Sequence, residues 1–447
     1  MGMSMPSLAQ PTFAPPCGPV VGWVDVDVAR ATGIPYAHAD RFEAPVAATD
    51  WTEPHDATTW SPSCPQQPVP FLAEVLGSTA ATIPPNEHCQ NLSVTMPLDL
   101  APDERVPVMV WIHGGSYSSG AGDVPIMDPR ALVRDHRVVV VTVTYRLATF
   151  GFVGGIDGRP ANLGLLDQIE AFRWVKRNIA AFGGDPERVT AFGQSAGADA
   201  IAHIMATPDA ASLFSRAIIQ SPPLGLARGR AKMAAAMAEA TSSFTPEMTA
   251  ADIVAKQPDI VAAGTGFGLV SSMPYGIQYG HDPLPSEEGV NDAWSAVAND
   301  IDVLIGSTAE EARLFTPRLE GLQKWISLRG VGPAIHRLVV SALTKSMYTR
   351  AISDFAKRYA LAGGTIHSYA ISWSAPGNQY GSAHTIDLPL LFGDEQSWKA
   401  ATLLTGATWP EIDAHARTVR ALWSSFAHGE RLPDSGSIPG VLTYRKA

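Results

Sequence analysis

The chain has 447 residues, of which 46% are hydrophobic, 17% charged and 8% aromatic. This is ordinary globular composition and excludes a largely disordered or fibrous protein. The 32 Lys and Arg residues against 43 Asp and Glu residues give a formal net charge of -11, which argues against a nucleic-acid binder because such proteins cluster cations against phosphates. No apolar stretch approaches the roughly 20 residues of a membrane-spanning helix.

Residues 1–20 are rich in Pro, Ser and Ala, and we interpret them as a loose leader. They lack the charged start and the apolar centre of a signal peptide. The three cysteines, Cys17, Cys64 and Cys89, are too few for a disulfide scaffold, although two of them could form one bridge. We therefore expect a cytoplasmic location, with secretion as the alternative. The sequence leaves the oligomeric state open.

From residue 106 onward, short apolar runs alternate with helical patterns. The runs at 106–112 and 138–145 are rich in β-branched residues and are typical of strands buried on both faces. Residues 165–182 place apolar side chains three and four positions apart, which predicts a helix. Further strands are predicted at 188–193, 217–220, 303–306 and 368–373, and further helices at 195–205 and 410–428. This order predicts an α/β fold with one large core.

A glycine-rich motif, Trp111-Ile112-His113-Gly114-Gly115-Ser116-Tyr117, stands at the end of the first of these strands. Consecutive glycines let backbone N–H groups point into a cavity with no side chain in the way. Such donors, together with the N–H of the residue after a nucleophile, form an oxyanion hole, which stabilises the negative charge of a tetrahedral intermediate. The alternative is a tight loop whose glycines serve only to turn the chain.

A second motif, Gly193-Gln194-Ser195-Ala196-Gly197, lies between a predicted strand and a predicted helix. This is the G-x-S-x-G nucleophile elbow in the context that it requires. The turn lifts the Ser195 hydroxyl to a helix N-terminus, where the dipole favours developing negative charge, and the glycines at 193 and 197 avoid side-chain clashes. A glycine-rich turn without chemistry is the alternative. The two motifs together, each at the end of a strand, favour acyl transfer.

These motifs, with others in the same order, resemble the type-B carboxylesterases, the branch of the α/β-hydrolases that includes the cholinesterases. The resemblance runs from about residue 33 to residue 444 and includes blocks at 33–37, 41–42, 87–94, 113–115, 145–146, 162–168, 183–186, 193–197, 306–315 and 381–393. It implies an α/β-hydrolase fold, with a central, mostly parallel twisted sheet covered by helices on both faces and with inserted cap segments. We expect one such domain over residues 21–447, with a reduced cap at about 316–366.

A nucleophilic serine needs a base and an orienting carboxylate, and in α/β-hydrolases the chain order is serine, acid, histidine. The histidines after Ser195 that fit poorly are His203, His336 and His415 in helical patterns, His281 ahead of the acid, His367 at the start of a strand and His428 at a helix end. His384 lies in a loop of small residues, on the block where the family's catalytic histidine falls. We therefore predict His384 as the base.

The loop after the strand at 303–306 offers two adjacent carboxylates, Glu310 and Glu311. The residues alone leave both open. The family pattern places the triad acid on the second, which implies Glu311, with Glu310 in reserve. The glycine that usually follows the acid in the family is Ala312 here.

The resemblance also implies the supporting residues. Its oxyanion hole maps onto the N–H groups of Gly115, Ser116 and Ala196, with Gly114, Gly193, Gln194 and Gly197 in support. Many relatives have glutamate where this chain has Gln194, so the surroundings of the serine should be less negative here. Implied structural contacts are the ion pairs Arg41–Glu87 and Arg146–Asp167 and a disulfide between Cys64 and Cys89, and Leu224 is expected to border the acyl pocket.

The predicted function is that of a serine carboxylic-ester hydrolase that acts on a small-molecule ester through an acyl-enzyme. The same triad could instead serve a lactone, carbamate or polymer ester, and a non-catalytic adhesion or binding relative is a further alternative. Neither His-Glu-x-x-His nor paired cysteines nor a phosphate-binding glycine loop occurs. We therefore expect no metal, no cofactor, no nucleic-acid partner and no membrane span.

Overall fold

The molecule is built around one large mixed sheet. The computed structural model describes residues 10–447 apart from residues 79, 157 and 246. The strands are β1 (Thr12–Phe13), β2 (Val20–Val21), β3 (Trp23–Asp25), β4 (Val28–Pro35), β5 (Ala37–His38), β6 (Val46–Ala47), β7 (His55–Asp56), β8 (Asn91–Pro97), β9 (Val106–Ile112), β10 (Val139–Val143), β11 (Gly184–Gln194), β12 (Arg216–Gln220), β13 (Asp302–Thr308), β14 (Ile366–Ile371), β15 (Ser435–Ile438) and β16 (Leu442–Lys446).

Helices connect and cover these strands. They are α1 (Pro70–Leu76), α2 (Arg130–His136), α3 (Ala148–Gly151), α4 (Leu163–Asn178), α5 (Ala196–Ile204), α6 (Ala210–Leu213), α7 (Ala231–Glu239), α8 (Ala250–Ala263), α9 (Val290–Ala296), α10 (Glu320–Ile326), α11 (Gly332–Thr344), α12 (Arg350–Leu361), α13 (Glu395–Trp398) and α14 (Trp409–His428). A π-helical turn, Lys345–Thr349, joins α11 to α12.

The large sheet has the strand order β15-β16-β14-β13-β12-β11-β9-β10-β8-β4-β3. The six central strands, from β14 to β10, run parallel to one another, whereas every pairing outside this set is antiparallel. The prediction of a mostly parallel sheet therefore holds for the centre and not for the flanks. Two small sheets, β1-β2-β7 and β5-β6, lie outside it.

Both faces of the central strands are buried. All seven residues of β9 are buried; Val108, Val110 and Ile112 join one apolar core and Met109 and Trp111 join the other. Because successive side chains of a strand point to opposite faces, the two cores are the layers between the sheet and the helices on either side. This confirms the predicted α/β class and its layers.

The predicted leader differs from the structure over its second half. Residues 1–9 lie outside the described residues. From Thr12 onward, however, β1 pairs with β2, the Phe13 and Phe182 rings lie 4.8 Å apart, and the Cys17 N–H donates to Asn178 Oδ1 at 3.0 Å. The prediction of a loose segment is wrong for this part because strand pairing and an aromatic contact anchor it.

The topology places four loops at one edge of the sheet. Four strands of the central sheet run in the same direction: β9, β11, β13 and β14. The loops that follow their last residues, Ile112, Gln194, Thr308 and Ile371, therefore leave from the same edge. The carboxyl ends of parallel strands are the usual position of ligand sites in such sheets. Among the described residues, no helix combines the length and apolar character needed to cross a bilayer.

Candidate active site

Ser195 occupies a sharp turn between β11 and α5. Its φ of 58° and ψ of -125° lie outside the regions that L-residues usually adopt, so its neighbours must hold this backbone. The Ser195 N–H donates to Gln220 O at 2.8 Å. A Cβ on Gly193 or Gly197 would lie 2.7 or 2.0 Å from the carbonyl oxygen of Ile112. Both glycines of the motif are therefore required by the adjacent end of β9.

The side chains of Ser195, His384 and Glu311 form one hydrogen-bonded chain. His384 Nε2 lies 2.8 Å from Ser195 Oγ, and the other ring nitrogen, Nδ1, bonds Glu311 Oε2. The second carboxylate oxygen of Glu311 accepts the Thr308 N–H at 2.6 Å. All three side chains are buried. Because the carboxylate makes Nδ1 the donor, Nε2 is left to accept the serine proton.

The neighbouring carboxylate, Glu310, points elsewhere. Both of its carboxylate oxygens accept from Arg313 Nη1 at 2.9 Å, and Oε2 also accepts the Ser382 N–H at 3.2 Å. Glu310 thus ties its own loop to the loop that carries His384, while Glu311 contacts the imidazole itself. Two aromatic rings flank that imidazole, with centroid distances of 5.7 Å for Phe315 and 5.3 Å for Tyr348.

The loop after β9 packs against the elbow in a left-handed conformation. Gly115, Ser116 and Tyr117 have φ values of 120°, 55° and 57°. A Cβ on Gly114 would lie 2.6 Å from the Gln194 carbonyl oxygen and 3.0 Å from the Ser195 Cβ, which shows how closely the two motifs approach. The backbone N–H groups at 115, 116 and 196 have no hydrogen-bond acceptor among the described residues.

His113 anchors the start of this loop. Its ring is fully buried, which lowers the pKa of His113 to about 4, so that the ring is neutral at pH 7. Because a carbonyl oxygen can only accept, Nδ1 donates to Gly114 O at 2.8 Å. Tyr145 stacks on the ring with centroids 4.5 Å apart, and its hydroxyl donates to His113 O at 2.7 Å.

Comparison with known proteins points to one family. The family model described as "Carboxylesterase family" matches residues 16–327. A protein of Rhodococcus erythropolis named "Probable N-octanoylanthranilate hydrolase AqdA2" is 37% identical over 434 residues, which cover 95% of this chain and 94% of that protein. The para-nitrobenzyl esterase of Bacillus subtilis (strain 168) is 31% identical, over 92% of this chain and 88% of its own. The chain belongs to the carboxylesterase family.

The fold comparison agrees with this result. A solved structure titled as a thermophilic PNB esterase superposes with a TM-score of 0.75 at 25% identity, over 98% of each chain. The resemblance to the type-B carboxylesterases and the α/β-hydrolase fold are both confirmed, and the protein is a carboxylesterase that acts on small-molecule esters.

Two buried polar side chains of this carboxylesterase lie near the imidazole, and Gln194 contacts it. Gln194 is almost fully buried and its Nε2 lies 3.3 Å from His384 Nε2. Asp387 lies three residues after His384, and its Oδ2 accepts Gln220 Nε2 at 2.7 Å. Burial, partly offset by that hydrogen bond, raises the pKa of Asp387 to about 6. Sequence analysis missed Asp387, although its position on the histidine block was an available signal.

A second buried carboxylate joins the two motifs. The Tyr117 hydroxyl donates to Asp199 Oδ2 at 2.7 Å, and Asp199 lies in the first turn of α5, four residues after Ser195. His203 Nδ1 donates in turn to the Asp199 carbonyl oxygen at 2.6 Å, and its Nε2 bonds the Tyr279 hydroxyl at 2.6 Å. Sequence analysis missed this link between the nucleophile helix and the glycine-rich loop.

The histidines judged unsuitable lie in the expected elements. His203, His336 and His415 are in α5, α11 and α14. His367 Nε2 bonds Pro433 O at 3.1 Å, and His428 ends α14 with Nε2 at 3.0 Å from His136 O. His281 lies in a loop, where its carbonyl oxygen accepts Asn162 Nδ2 at 3.3 Å.

The two implied ion pairs are both present. Arg41 Nε donates to Glu87 Oε2 at 2.7 Å. Arg146 holds Asp167 through Nε and Nη2 at 2.8 and 2.7 Å in a buried site. Removing one partner of such a buried pair leaves an uncompensated charge, which is why these pairs help to hold the register of the fold.

The three cysteines are buried free thiols. Burial, with the neighbouring Cys64 thiol as a further cause, raises the pKa of the Cys89 thiol. Cys64 Sγ also accepts the Leu147 N–H at 3.2 Å. The disulfide implied by the resemblance is therefore not formed in the structure, although the two side chains do meet. Among the described residues, no group of three or more His, Cys, Asp and Glu side chains is arranged to hold a metal ion.

Proposed function

We propose that this carboxylesterase hydrolyses carboxylic esters through an acyl-enzyme on Ser195, with His384 as general base and acid and Glu311 as its orienting carboxylate. The observation that supports the proposal is a continuous chain of hydrogen bonds that runs from the serine oxygen through both ring nitrogens to a buried carboxylate. Nucleophile, base and orienter within hydrogen-bond reach are the signature of an activated serine.

The geometry supports the following steps. His384 Nε2 takes the Ser195 proton as Oγ attacks the ester carbonyl carbon, and the carbonyl oxygen becomes an oxyanion. The open N–H groups of Gly115, Ser116 and Ala196 donate to that oxygen. Each such donor typically contributes about 3–4 kcal/mol of barrier lowering. His384 then protonates the leaving alcohol, and a water molecule repeats the sequence on the acyl-enzyme to release the acid.

A labelled fluorophosphonate followed by peptide mapping tests the assignment. We expect the label on the peptide that contains Ser195 and a fall in turnover of roughly 10⁶-fold in Ser195→Ala. Ser221, which follows the adjacent strand β12 and is also buried, provides the matched control: Ser221→Ala should retain labelling. Label on another peptide, or activity that persists in Ser195→Ala, would refute the proposal.

The size of the acyl pocket can be tested with esters whose acyl chains differ in length. Leu224 begins the short turn after β12, four residues after Gln220, whose carbonyl oxygen accepts the Ser195 N–H at 2.8 Å. We propose that the Leu224 side chain limits the length of the acyl group. p-Nitrophenyl esters of increasing acyl length should show an optimum that moves to longer chains in Leu224→Ala, whereas an unchanged profile would remove Leu224 from the pocket.

An N-acyl aryl amide is a second candidate substrate, because the 37% identical relative is named for N-octanoylanthranilate. The same triad serves both bonds. Octanoyl p-nitrophenyl ester and octanoyl p-nitroanilide share the acyl group and the p-nitrophenyl ring and differ in the scissile bond, so the ratio of their kcat/KM values separates the two candidates. The lactone, carbamate and polymer-ester alternatives and the cytoplasmic location stay predictions.

A further inference from the structure

The cap, residues 316–366, differs in charge from the rest of the chain. It contains eight Lys and Arg residues against two Asp and Glu residues, whereas the remainder contains 24 against 41. The cap is therefore at +6 and the remainder at -17. A net charge of -11 for the whole chain conceals this separation. The eight cations are Arg318, Lys324, Arg329, Arg337, Lys345, Arg350, Lys357 and Arg358.

These eight cations are all exposed, and none of them forms an ion pair with a described residue. Elsewhere in the described part of the chain, many arginines are paired with carboxylates, as Arg177 is with Asp50 at 2.6 Å and Arg137 with Glu104 at 2.7 Å. The cap thus presents unneutralised positive charge, which attracts an anionic partner over a range set by the ionic strength.

The cap also carries half of the exposed large apolar side chains. Twelve such side chains stand on the described residues, and six of them fall within these 51 positions: Leu319, Trp325, Leu328, Val331, Leu338 and Leu361. Trp325 is 59% exposed and Leu338 is 72% exposed. Single exposed apolar residues are normal, but their concentration on one segment marks an interaction surface.

The cations and the apolar side chains share neighbouring surfaces. Helices α10 and α11 pack closely, since a Cβ on Gly332 would lie 2.1 Å from Ile326 O. Val331 caps the N-terminus of α11 and lies seven positions before Leu338, about two helical turns away along the same side of the helix. Between α11 and α12 a cleft of about 640 Å³ is lined by four of the eight cations, those at 337, 345, 350 and 357, and by two carboxylates, those at 310 and 354. Leu338 stands next to the first of them.

We propose that the cap docks on an anionic lipid surface. Exposed Trp, Leu and Val interspersed with Lys and Arg suit an interface in which apolar side chains enter the acyl boundary and cations meet the headgroups. With four cations against two carboxylates, the cleft between α11 and α12 has a net positive charge that favours a headgroup phosphate. The strongly acidic remainder is repelled by the same surface, so charge alone orients the molecule with its cap toward the lipid.

Docking would bring the reaction centre to the lipid. Phe315, directly before the cap, and Tyr348, in its π-helical turn, both flank the His384 imidazole. An apolar ester held in the membrane would therefore enter beside that imidazole. This consequence rests on the proposed function, whereas docking itself does not.

Co-sedimentation of the full chain with lipid vesicles tests the docking. We expect binding to phosphatidylcholine vesicles that contain about 30 mol% phosphatidylglycerol, at least tenfold stronger than to phosphatidylcholine alone, and weakened as NaCl rises from about 0.05 to 0.5 M. Ser195→Ala should bind equally, so that a failure of the catalytic proposal leaves this result unaffected.

Two double variants separate charge from apolar contact. Arg337→Gln with Lys345→Gln should lower the partition coefficient roughly 25-fold, about fivefold per charge. Trp325→Ser with Leu338→Ser should lower it at least about tenfold. Turnover of a water-soluble p-nitrophenyl ester and the melting temperature should stay at the wild-type values in both, because these side chains are exposed.

Matched controls come from the remainder of the molecule. Phe267→Ser with Leu269→Ser removes two exposed apolar side chains, and Lys399→Gln with Arg431→Gln removes two exposed cations that have no ion pair among the described residues. Both controls should bind like wild type. Equal losses in the controls, or binding without phosphatidylglycerol dependence, would overturn the proposal. The proposal would also be overturned if the protein did not bind vesicles but self-associated in a concentration-dependent way, and if the cap variants lost that self-association.

Discussion

Replacing Glu311 by glutamine is the sharpest test of the site. The two carboxylate oxygens of Glu311 have different donors, the Thr308 N–H at 2.6 Å and the Nδ1–H of His384. An amide offers one acceptor and one donor in their place. If its NH2 faces the Thr308 N–H, two donors oppose each other in a buried site, which costs about 1–3 kcal/mol. If it faces Nδ1, that nitrogen must accept and Nε2 carries the proton toward Ser195.

In the second arrangement the ring cannot take the serine proton. We therefore expect Glu311→Gln to lower kcat by about 10³–10⁴-fold, equivalent to roughly 4–5.5 kcal/mol of barrier, with KM nearly unchanged. The volume of the side chain is conserved, so the melting temperature should fall by only a few degrees.

The control is Glu310→Gln on the adjacent residue. Glu310 is paired with Arg313 on a partly exposed loop, so its loss should change kcat less than about threefold, because exposed pairs contribute little. Steady-state kinetics on p-nitrophenyl butyrate, with circular dichroism to check folding, measure both variants. If Glu310→Gln inactivates the enzyme and Glu311→Gln does not, the assignment of the acid is wrong.

Four further variants test the surroundings of the triad. Gly197→Ala places a Cβ 2.0 Å from the Ile112 oxygen and should lower the free energy of unfolding by about 3 kcal/mol in urea titrations; a cost below about 1 kcal/mol would contradict the steric argument. Tyr117→Phe should lower kcat about tenfold at constant KM because the left-handed loop loses its bond to Asp199, whereas Asp199→Asn, which keeps an acceptor, should retain most activity; the reverse ranking would reject this link. The pKa of Asp387 rises from 3.8 to about 6 on folding, so the folded chain binds more protons between these values and loses on the order of 3 kcal/mol as pH rises through them. Asp387→Asn should therefore be more stable than wild type at pH 7 but not at pH 3, and equal stabilities at pH 7 would contradict the shift.

The two motifs could be predicted because their requirements are local. The elbow needs a left-handed Ser195 between a strand and a helix, and the sequence shows the strand pattern, the pentapeptide and the helix pattern in consecutive positions. The bounds of two elements could be predicted for the same reason. The strand predicted at 106–112 coincides with β9, and the helix predicted at 410–428 corresponds to α14, which begins one residue earlier. Local periodicity determines such elements well because their burial repeats with the period of the element.

The acid could not be chosen from the residues alone. Glu310 and Glu311 are adjacent, chemically identical and follow the same strand, yet one is partly exposed beside Arg313 and the other is buried against an imidazole from a loop 73 positions later. Only the packing of the two loops distinguishes them. The family pattern supplied the choice, since it carries that packing indirectly.

Asp199 and Asp387 were missed for a related reason. A carboxylate in a sequence is by default assigned to solvent, since acids are rarely fully buried without a partner. Their partners, Tyr117 and Gln220, come from other elements, and no spacing along the chain reveals them. The oxyanion loop and the elbow were recognised as separate motifs, but the side chain that joins them depends on the register between a loop and a helix.

The net charge of the whole chain was calculated correctly, but it says less about binding partners than it first suggests. A total of -11 argues against nucleic acid because phosphate binding needs clustered cations. The total is a sum over residues, however, and eight cations without an ion pair to any described residue, all within 51 positions, are compatible with it when the remainder is at -17. Hydropathy averaged along the chain has the same weakness. It excludes a membrane-spanning helix, which needs a long apolar stretch of sequence, but it does not report how much apolar area lies on one surface, which is what contact with a membrane interface requires. Both averages become informative about partners only after the fold shows which residues share a face.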